Sequence, residues 1–386
     1  MKLLHLSDLH LGKRLNEYPL IEDQKYILEQ ILQLVAKEQP DAVLLAGDIY
    51  DKSIPTTEAV QLCDDFLTKL ASAKVPVCMI SGNHDSAERL DFGARLLQHS
   101  GVHVGACYRA ESKPVVLQDE FGPVNIYLLP FVKPALVRHA LPEAMAEEIT
   151  SYHTAVAKAV ELMAVDTTER NVLVCHQFVT GAQMCDSEAV NVGGLDNIGA
   201  EVFKDFDYVA LGHIHSPQNV GSERIRYCGT PLKYSFSEWK QEKSVTVVEL
   251  GAKGDVKVRL LPLVPLRELH KVRGTYAEVF SKSFYKDFPM DENEQLKDFY
   301  HITLTDEFDV PDAVQKLRSV YKNLLQLEYD NARTRMTGQV EAAEAVEQKS
   351  SLELISEFYA LQNNQELNDA QKQFVQDLLE RLEGEQ

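Results

Sequence analysis

The sequence predicts an α/β protein with a layered core. Short, nearly continuous apolar runs recur through the first two thirds of the chain, as in strands of a sheet that is covered on both faces. These runs are Lys2–Leu6, Ala42–Ala46, Pro76–Ser81, Asn125–Leu129, Asn171–Cys175 and Tyr208–Leu211. Two longer segments with apolar residues at helical spacing, Asp23–Glu38 and Thr57–Ala71, separate the first three runs. This alternation is the βαβ pattern of an α/β core.

Each helical segment carries its apolar residues at the spacing of one helix face. In the first segment these residues are Tyr26, Ile27, Ile31, Leu34 and Val35. In the second they are Val60, Leu62, Phe66, Leu67 and Leu70. We assign residues 1–265 to this domain.

The pattern changes near Pro262–Pro265, where a polar segment begins. A strand-like run, His301–Thr305, precedes a helix-like segment, Pro311–Leu324, and a second strand-like run, Leu325–Tyr329. We therefore expect a small separate α+β domain over residues 266–340.

Residues 341–386 form an acidic segment with 11 acidic and 3 basic side chains. Ser350 and Glu353 have the spacing of a capping box, and two short helices are expected on either side of Asn363 and Asn364. The second helix has an apolar stripe made of Leu367, Phe374, Val375, Leu378, Leu379 and Leu382. Such a stripe more often packs on its own domain, but its position beyond an acidic stretch favours a helical pair that binds a partner.

The composition is that of a folded protein, with 386 residues of which 45% are hydrophobic and 25% charged. It excludes a wholly disordered, collagen-like or fibrous chain. A net charge of -20 opposes binding of polyanions by the molecule as a whole. Net charge does not exclude a groove that metal ions make locally positive.

The cysteines and the N-terminus favour a cytoplasmic protein. The six cysteines are scattered without a Cys-x-x-Cys pair, as expected for buried thiols in a reducing compartment. His5, Asp8 and His10 interrupt the apolar N-terminus, so it lacks the core of a signal peptide, and no run reaches 18 apolar residues. We therefore expect neither export by that route nor a membrane span.

Polar motifs follow five of the predicted strands. They are Asp8-Leu9-His10, Gly47-Asp48-Ile49-Tyr50-Asp51, Gly82-Asn83-His84-Asp85, His176 and Gly212-His213-Ile214-His215. The carboxyl ends of the strands in an open α/β sheet form its ligand-binding edge, so these groups can converge on one crevice. A single short motif of this kind is weak, whereas five at strand ends make chance a poor explanation.

The side chains of these motifs suit two metal ions. Asp8 and Asp48 supply carboxylates, Asn83 supplies a carboxamide oxygen, and four histidines supply imidazoles. These histidines are His10, His176, His213 and His215. Such donors without a thiolate favour Mn²⁺, Fe²⁺ or Zn²⁺ over Ca²⁺. Seven ligands are too many for one catalytic ion that keeps an open position, and fit two ions that share a carboxylate.

Two such ions predict hydrolysis of a phosphate ester. His84 lies beside Asn83 and is the candidate general acid for the leaving oxygen. Asp85 is the second candidate catalytic residue, which would orient His84 or its neighbours. Asp51 has two open interpretations, a turn residue or a support for the ligands. The other histidines, expected at the surface or in satisfied core positions, are His5, His99, His103, His139, His153, His270 and His301.

The five motifs, in this order, resemble the calcineurin-like metallophosphoesterase superfamily. The resemblance implies a two-sheet α/β sandwich with helices outside. It also implies that Asp8, His10 and His215 hold one metal and that Asn83, His176 and His213 hold the other. Asp48 would bridge the two ions, and His84 would be the catalytic histidine.

Three longer stretches, Leu6–Gly12, Asp207–His215 and Tyr227–Glu238, resemble the nuclease subunits of bacterial DNA-repair complexes within that superfamily. This resemblance implies two divalent ions, most readily Mn²⁺, and degradation of double-stranded DNA from its ends. It also implies ATP-driven cleavage of hairpins and blocked ends, in double-strand-break processing, recombination and replication. The first expected partner is an SMC-type ATPase, and residues 341–386 of this chain would bind the base of its coiled coil. The other expected partners are a second copy of this chain and DNA, which would face the capping domain 266–340.

Two other classes of function remain open at this point. A stand-alone phosphodiesterase or phosphatase acting on a small nucleotide or a phosphoprotein would use the same ligands, although it has little use for the C-terminal segments. A non-catalytic scaffold is disfavoured because no ligand position is lost. Basic residues that could meet DNA phosphates, each more often a solvated surface charge, are Arg14, Arg89, Lys133, Lys233 and Lys240.

Overall fold

The structure is a computed structural model. It describes residues 1–185, 188, 197–293, 295–331, 334, 355–356, 358–360, 367–368, 371–375 and 378. The chain divides into two compact units, Met1–Glu268 and Leu269–Gln386. Among the described residues, no helix combines the length and apolar character needed to cross a membrane.

The described part of the first unit alternates strands and helices. Its strands are β1 (Lys2–Leu6), β2 (Arg14–Leu15), β3 (Tyr18–Pro19), β4 (Ala42–Ala46), β5 (Val77–Ile80), β6 (Val102–Gly105), β7 (Val115–Asp119), β8 (Gly122–Leu129), β9 (Arg170–His176), β10 (Tyr208–Gly212), β11 (Gln218–Val220), β12 (Ser222–Tyr227), β13 (Ser244–Leu250) and β14 (Val256–Pro262). Its α-helices are α1 (Ile21–Glu38), α2 (Thr57–Ser72), α3 (Ala87–Asp91), α4 (Ala94–Leu97), α5 (Pro134–His139), α6 (Glu143–Ala146) and α7 (Tyr152–Leu162). Short 3₁₀ turns are Gln98–Ser100, Ala200–Phe203 and Phe236–Glu238.

Two six-stranded sheets form the core of this unit. Their strand orders are β14-β13-β1-β4-β5-β6 and β11-β12-β10-β9-β8-β7. Leu44 and Ile80 of the first sheet pack with Val174 and Ala210 of the second in one buried cluster. The opposite face of β9 and β10 is buried as well, in a second cluster with α5 and α7. Burial on both faces explains why these strands are continuous apolar runs.

All six strands expected in the first unit are confirmed, and so are both long helices. The sequence did not predict the outer strands β6, β7 and β11–β14. Strand β7 alternates half-buried and exposed residues, and β14 does so in part, so neither forms the apolar run that marks the central strands.

The neighbouring central strands run parallel, which places their carboxyl ends at common edges. In the first sheet β1, β4 and β5 are parallel, and in the second β9 and β10 are parallel. Every predicted ligand follows the end of one of these five strands or terminates it. The topology therefore positions the candidate site.

The second unit contains a parallel three-stranded sheet in the order β15-β16-β17. Its elements are β15 (Leu269–Gly274), α8 (Tyr276–Val279), α9 (Lys282–Tyr285), β16 (Leu296–Leu304), α10 (Ala313–Leu317) and β17 (Tyr321–Tyr329). The predicted helix Pro311–Leu324 is wrong at its end, because α10 stops at Leu317 and the following residues begin β17. Tyr321 and Leu324 are buried as strand residues of the small core, so packing in the sheet overrides the helical spacing. Most of the predicted C-terminal helical pair lies outside the described residues.

Candidate metal centre

Four of the predicted ligands lie on tightly turned backbone just beyond the strands. The φ angles of Asp8, His10, Asp48 and His213 are 52°, 43°, 46° and 101°, in the region that favours glycine. Backbone hydrogen bonds hold these turns, since Asp8 N donates to Gly47 O at 3.0 Å and His10 N donates to Asp48 O at 2.9 Å. Strained backbone of this kind persists where the surrounding fold fixes it, and it is typical of functional sites.

One group of donors comes from β1 and β10. The ligand atoms of Asp8, His10 and His215 all lie within 4.8 Å of one another. His10 Nε2 is 3.2 Å from His215 Nε2. All three residues are at most 2% exposed.

A second group comes from β5, β9 and β10. The carboxamide oxygen Oδ1 of Asn83 lies 3.0 Å from His176 Nε2 and 2.9 Å from His213 Nδ1. His176 is fully buried, and its other ring nitrogen, Nδ1, donates to Ala46 O at 2.8 Å. Because a carbonyl oxygen only accepts, Nδ1 carries the hydrogen and Nε2 is directed at Asn83.

The carboxylate of Asp48 lies between the two groups. Its Oδ2 is 3.6 Å from His10 Nε2 and 3.4 Å from His176 Nε2. Its Oδ1 accepts a hydrogen bond from the backbone N–H of His84 at 2.8 Å. The structure thus brings all seven predicted ligands together, with one carboxylate shared between two sets of three.

These residues fit divalent cations. Two imidazole nitrogens, His10 Nε2 and His215 Nε2, face each other in a buried space, where an ion could accept both lone pairs. His10 Nδ1 has no hydrogen-bond partner among the described residues, and it lies 3.7 Å from the carboxylate of Asp51. Nitrogen and oxygen donors in this number suit a first-row transition metal or Zn²⁺. The donor set and its burial therefore support metal binding at this site.

Burial and mutual charge shift the pKa values of these groups in opposite directions. Burial raises the pKa of Asp8 to about 6. Burial lowers the pKa of His176, but the neighbouring Asp48 carboxylate outweighs it and raises that pKa to about 9. Burial, with the His176 charge, lowers the pKa of His213 to about 3. The fold has concentrated titratable groups here that need one another, or a cation, for compensation.

The side chains of His84 and Asp85 make different contacts. The ring nitrogen Nδ1 of His84 donates to the backbone carbonyl of Asp51 at 2.9 Å, and its ring centroid lies 4.8 Å from that of His10. The carboxylate of Asp85 instead accepts the backbone N–H groups of Gly82, Ile49 and Tyr50 at 2.9, 3.0 and 2.9 Å. Of the two alternatives for Asp85, these hydrogen bonds favour the orientation of neighbouring loops. Asp51, which had two open interpretations, supports His84 through its carbonyl and binds Lys13 through its carboxylate.

Sequence reasoning missed the buried polar residues behind the ligands. Gln24 donates to His10 O at 2.7 Å, and Tyr234 donates to Leu9 O at 2.5 Å. Glu188 accepts the backbone N–H of His215 at 2.5 Å. The only sequence signal for any of them was the stretch Tyr227–Glu238, whose resemblance gave no role to Tyr234.

Among the basic candidates, Lys233 and Lys240 contact other residues of the protein. Lys233 donates to Trp239 O at 2.9 Å and pairs with Glu268 at 2.6 Å, with a side chain that is only 10% exposed. Lys240 lies over the Trp239 ring, 4.9 Å from its centroid. Lys233 is therefore a poor candidate for phosphate contact. His5, expected to be a surface or satisfied core residue, is buried with both ring nitrogens hydrogen-bonded.

The sandwich fold and a convergent set of buried metal donors define a metal-dependent phosphoesterase. The sequence profile of the calcineurin-like phosphoesterases matches residues 1–217, and the chain belongs to this family. A second profile, described as the type 5 capsule protein repressor C-terminal domain, matches residues 265–363. The chain is similar to the D subunit of the nuclease SbcCD from Staphylococcus epidermidis, with 32% identity and a match that covers 98% of each chain.

Two solved structures are also similar. One is TT1561 of Thermus thermophilus, with a TM-score of 0.39 and 13% identity over 67% of this chain and 98% of that chain. The other is a dimetal phosphatase from Danio rerio, with a TM-score of 0.37 and 11% identity over 69% of this chain and 98% of that chain.

Proposed function

We propose that this chain is the nuclease subunit of an SbcCD-type complex, a two-metal, Mn²⁺-dependent DNA nuclease. It degrades double-stranded DNA from its ends and opens hairpins and blocked ends, in double-strand-break processing, replication and recombination. The observation that supports this most is the Asp48 carboxylate between two sets of three donors, five of which are buried. The similarity to the SbcCD nuclease chain of Staphylococcus epidermidis, over 98% of both chains, supports the choice of substrate and complex.

Asp8, His10 and His215 would hold one ion, Asn83, His176 and His213 would hold the other, and Asp48 would bridge them. The donors on this chain are nitrogen and oxygen atoms without a thiolate, which suits Mn²⁺. When bound, two such ions supply positive charge to the phosphoryl group and lower the pKa of water, which makes a nucleophile available at neutral pH.

The protein's own contribution is to hold groups and to transfer a proton. Since Nδ1 of His84 donates to Asp51 O, Nε2 is the nitrogen left for proton transfer to the leaving oxygen of the scissile phosphodiester. Asp85 fixes the loops that carry Asp48 and His84 by accepting their neighbours' backbone N–H groups. These contacts hold His84 in one position relative to Asp48.

DNA would be bound through phosphates, which carry no sequence information and suit a nuclease that recognises ends and shape. The charge of -20 on the chain opposes such binding, and two divalent ions would offset it locally. Residues 266–340 would form the capping domain that faces DNA, and the complex would act in the cytoplasm.

Exposed apolar side chains support the two proposed protein partners. In the first unit, Ile54, Phe92 and Leu96 are 70%, 86% and 75% exposed, which is consistent with a surface for a second copy of the chain. In the C-terminal segment, Phe358 and Phe374 are 63% and 69% exposed. They support binding of the segment 341–386 to the coiled-coil base of the SMC-type ATPase SbcC.

The test is hydrolysis by the purified full chain with Mn²⁺. The substrates are a labelled DNA duplex, a DNA hairpin and bis-p-nitrophenyl phosphate, with His84→Ala as the inactive variant and His139→Ala, an exposed histidine, as its matched control. We expect His84→Ala to lose DNA cleavage while it still binds Mn²⁺, and His139→Ala to cleave like the wild type.

The outcomes separate the alternatives. Cleavage of the small ester without DNA cleavage, both alone and after reconstitution with the partner ATPase, would leave a phosphodiesterase and remove the nuclease proposal. Unchanged turnover by His84→Ala would remove the role of His84. Failure of the chain to co-purify with a coiled-coil ATPase from its own cells would contradict the partner.

A further inference from the structure

A buried ion pair lies behind the metal centre, in a segment to which the proposed mechanism gives no role. Glu238 and Lys243 are 0% and 4% exposed, and Lys243 Nζ is 2.6 Å from Glu238 Oε2. Burial of two charges is expensive, and such a pair is weak evidence for added stability. Its location therefore requires another explanation.

The lysine of this pair is attached to a predicted ligand. Lys243 Nζ donates to the backbone carbonyl of His215 at 2.9 Å and to Thr230 Oγ1 at 2.8 Å. The backbone N–H of Thr230 donates to the same carbonyl at 3.1 Å. Two donors thus fix the main chain of His215.

The glutamate lies on the far side of the His215 ring from the metal centre. Glu238 Oε1 is 3.9 Å from His215 Nδ1, whereas the opposite ring nitrogen, Nε2, is 3.2 Å from His10 Nε2. At this distance the negative charge of the carboxylate favours a hydrogen on Nδ1, which leaves the Nε2 lone pair directed at the metal centre.

The same segment also supports the second histidine of this ligand group. Tyr234 N donates to Glu238 Oε1 at 3.2 Å, and the Tyr234 hydroxyl donates to Leu9 O, next to His10. Gln24 Nε2 contacts that hydroxyl at 3.2 Å and donates to His10 O. One buried network therefore reaches both histidines that face each other.

We propose that Glu238 is a positioning residue that holds the His215 ring in its Nδ1–H tautomer, and that Lys243 holds the Glu238 side chain and the His215 main chain in place. The inference rests on the proposed two-metal function and assigns a role to the segment from Tyr227 to Lys243. It concerns the ion bound by Asp8, His10 and His215, and leaves the other ion unaffected.

The test is calorimetric titration of the metal-free full chain with Mn²⁺, together with urea unfolding. Glu238→Gln leaves Lys243 without its counter-charge and can fail to fold, so the decisive variant is the double substitution Glu238→Gln with Lys243→Met. It removes both charges and keeps the side-chain shapes. Glu242→Gln, an exposed glutamate in the same segment, is the matched control.

We expect the double variant to remain folded, because Thr230 still donates to the His215 carbonyl, and to bind one Mn²⁺ about 10- to 100-fold more weakly, with the other ion bound as before. The control should bind both ions like the wild type. A stable double variant that binds every ion with wild-type affinity would overturn the proposal, since a purely structural pair predicts that result. If the wild type binds a single ion, the two-metal function fails, and the same comparison of that ion's affinity still decides the role of Glu238.

Discussion

Substitution of Asp85 by alanine should destabilise the first unit through the loss of three hydrogen bonds. Its carboxylate accepts the backbone N–H groups of Ile49, Tyr50 and Gly82 at 2.9–3.0 Å. Hydrogen bonds to a charged acceptor contribute about 1.5–3 kcal/mol each, or roughly 5–9 kcal/mol for three. Burial, with the charge of Asp48, raises the pKa of Asp85 from 3.8 to about 6 even though these hydrogen bonds lower it, so the cost of burying the charge offsets part of their contribution. The alanine variant escapes that cost, so the net loss should be smaller than the sum, about 2–6 kcal/mol.

The assay is urea unfolding at about pH 7.5, followed by the fluorescence of Trp239, the single tryptophan, which lies in the first unit. Asp85→Asn should be less destabilised than Asp85→Ala, because its one carbonyl oxygen can still accept two of the three N–H groups. Asp65→Ala, on the exposed face of α2, is the matched control and should change the unfolding free energy by less than about 0.5 kcal/mol. An Asp85→Ala unfolding curve that coincides with that of Asp65→Ala would refute the reasoning.

Two further predictions concern Asp48 and His5. Asp48→Asn should lower the affinity for both Mn²⁺ ions by at least about tenfold, because the Asp48 carboxylate lies between both ligand groups. A titration in which the affinity for only one ion falls would contradict a bridging role. His5 is buried and its pKa is lowered from 6.5 to about 3, so its contribution to stability is present above pH 6.5 and is lost as the pH falls toward 3. Between about pH 7 and pH 5, the titration of His5 should lower the free energy of unfolding of the wild type by about 2 kcal/mol. His5→Gln should lack this part of the pH dependence when unfolding is measured in urea. Equal pH dependence in both proteins would show that His5 does not titrate in this way.

The sequence predicted the fold where burial leaves a clear pattern. The central strands, such as Ala42–Ala46, are buried on both faces and appear as continuous apolar runs. Edge strands such as β14 have one solvated face, so polar and apolar residues are mixed along them. A loop can have the same mixture, so the sequence does not distinguish the two. The prediction of a helix up to Leu324 was wrong, because Tyr321 and Leu324 are stabilised more by burial in the core of the small sheet than by helix formation. Tertiary packing determines the secondary structure of such segments, and the local spacing of apolar residues does not reveal that packing.

The clustering of the seven predicted ligands could be foreseen because parallel strands carry their end residues to a common edge. Residues that lie close together in space therefore appear in the sequence as five short motifs. The residues that support them could not be found in the same way. Glu238 and Lys243 meet His215 through a turn, and Gln24 reaches His10 from a helix face where a polar residue looks like an ordinary surface position.

The strained backbone at the ligands shows why this support is needed. Asp8, His10 and Asp48 all have φ angles between 43° and 52°, a conformation that costs non-glycine residues about 1–2 kcal/mol each. Backbone strain of this size persists only where the surrounding structure fixes the chain. Here backbone hydrogen bonds join the turn after β1 to the turn after β4. The Asp85 carboxylate joins the turn that carries Asp48 to the turn after β5. The buried network around Glu238 and Gln24 fixes the main chain of His215 and His10 from behind. The fold therefore sets the geometry of the predicted ligands by itself, so that the binding energy of an ion would not be needed to order the site.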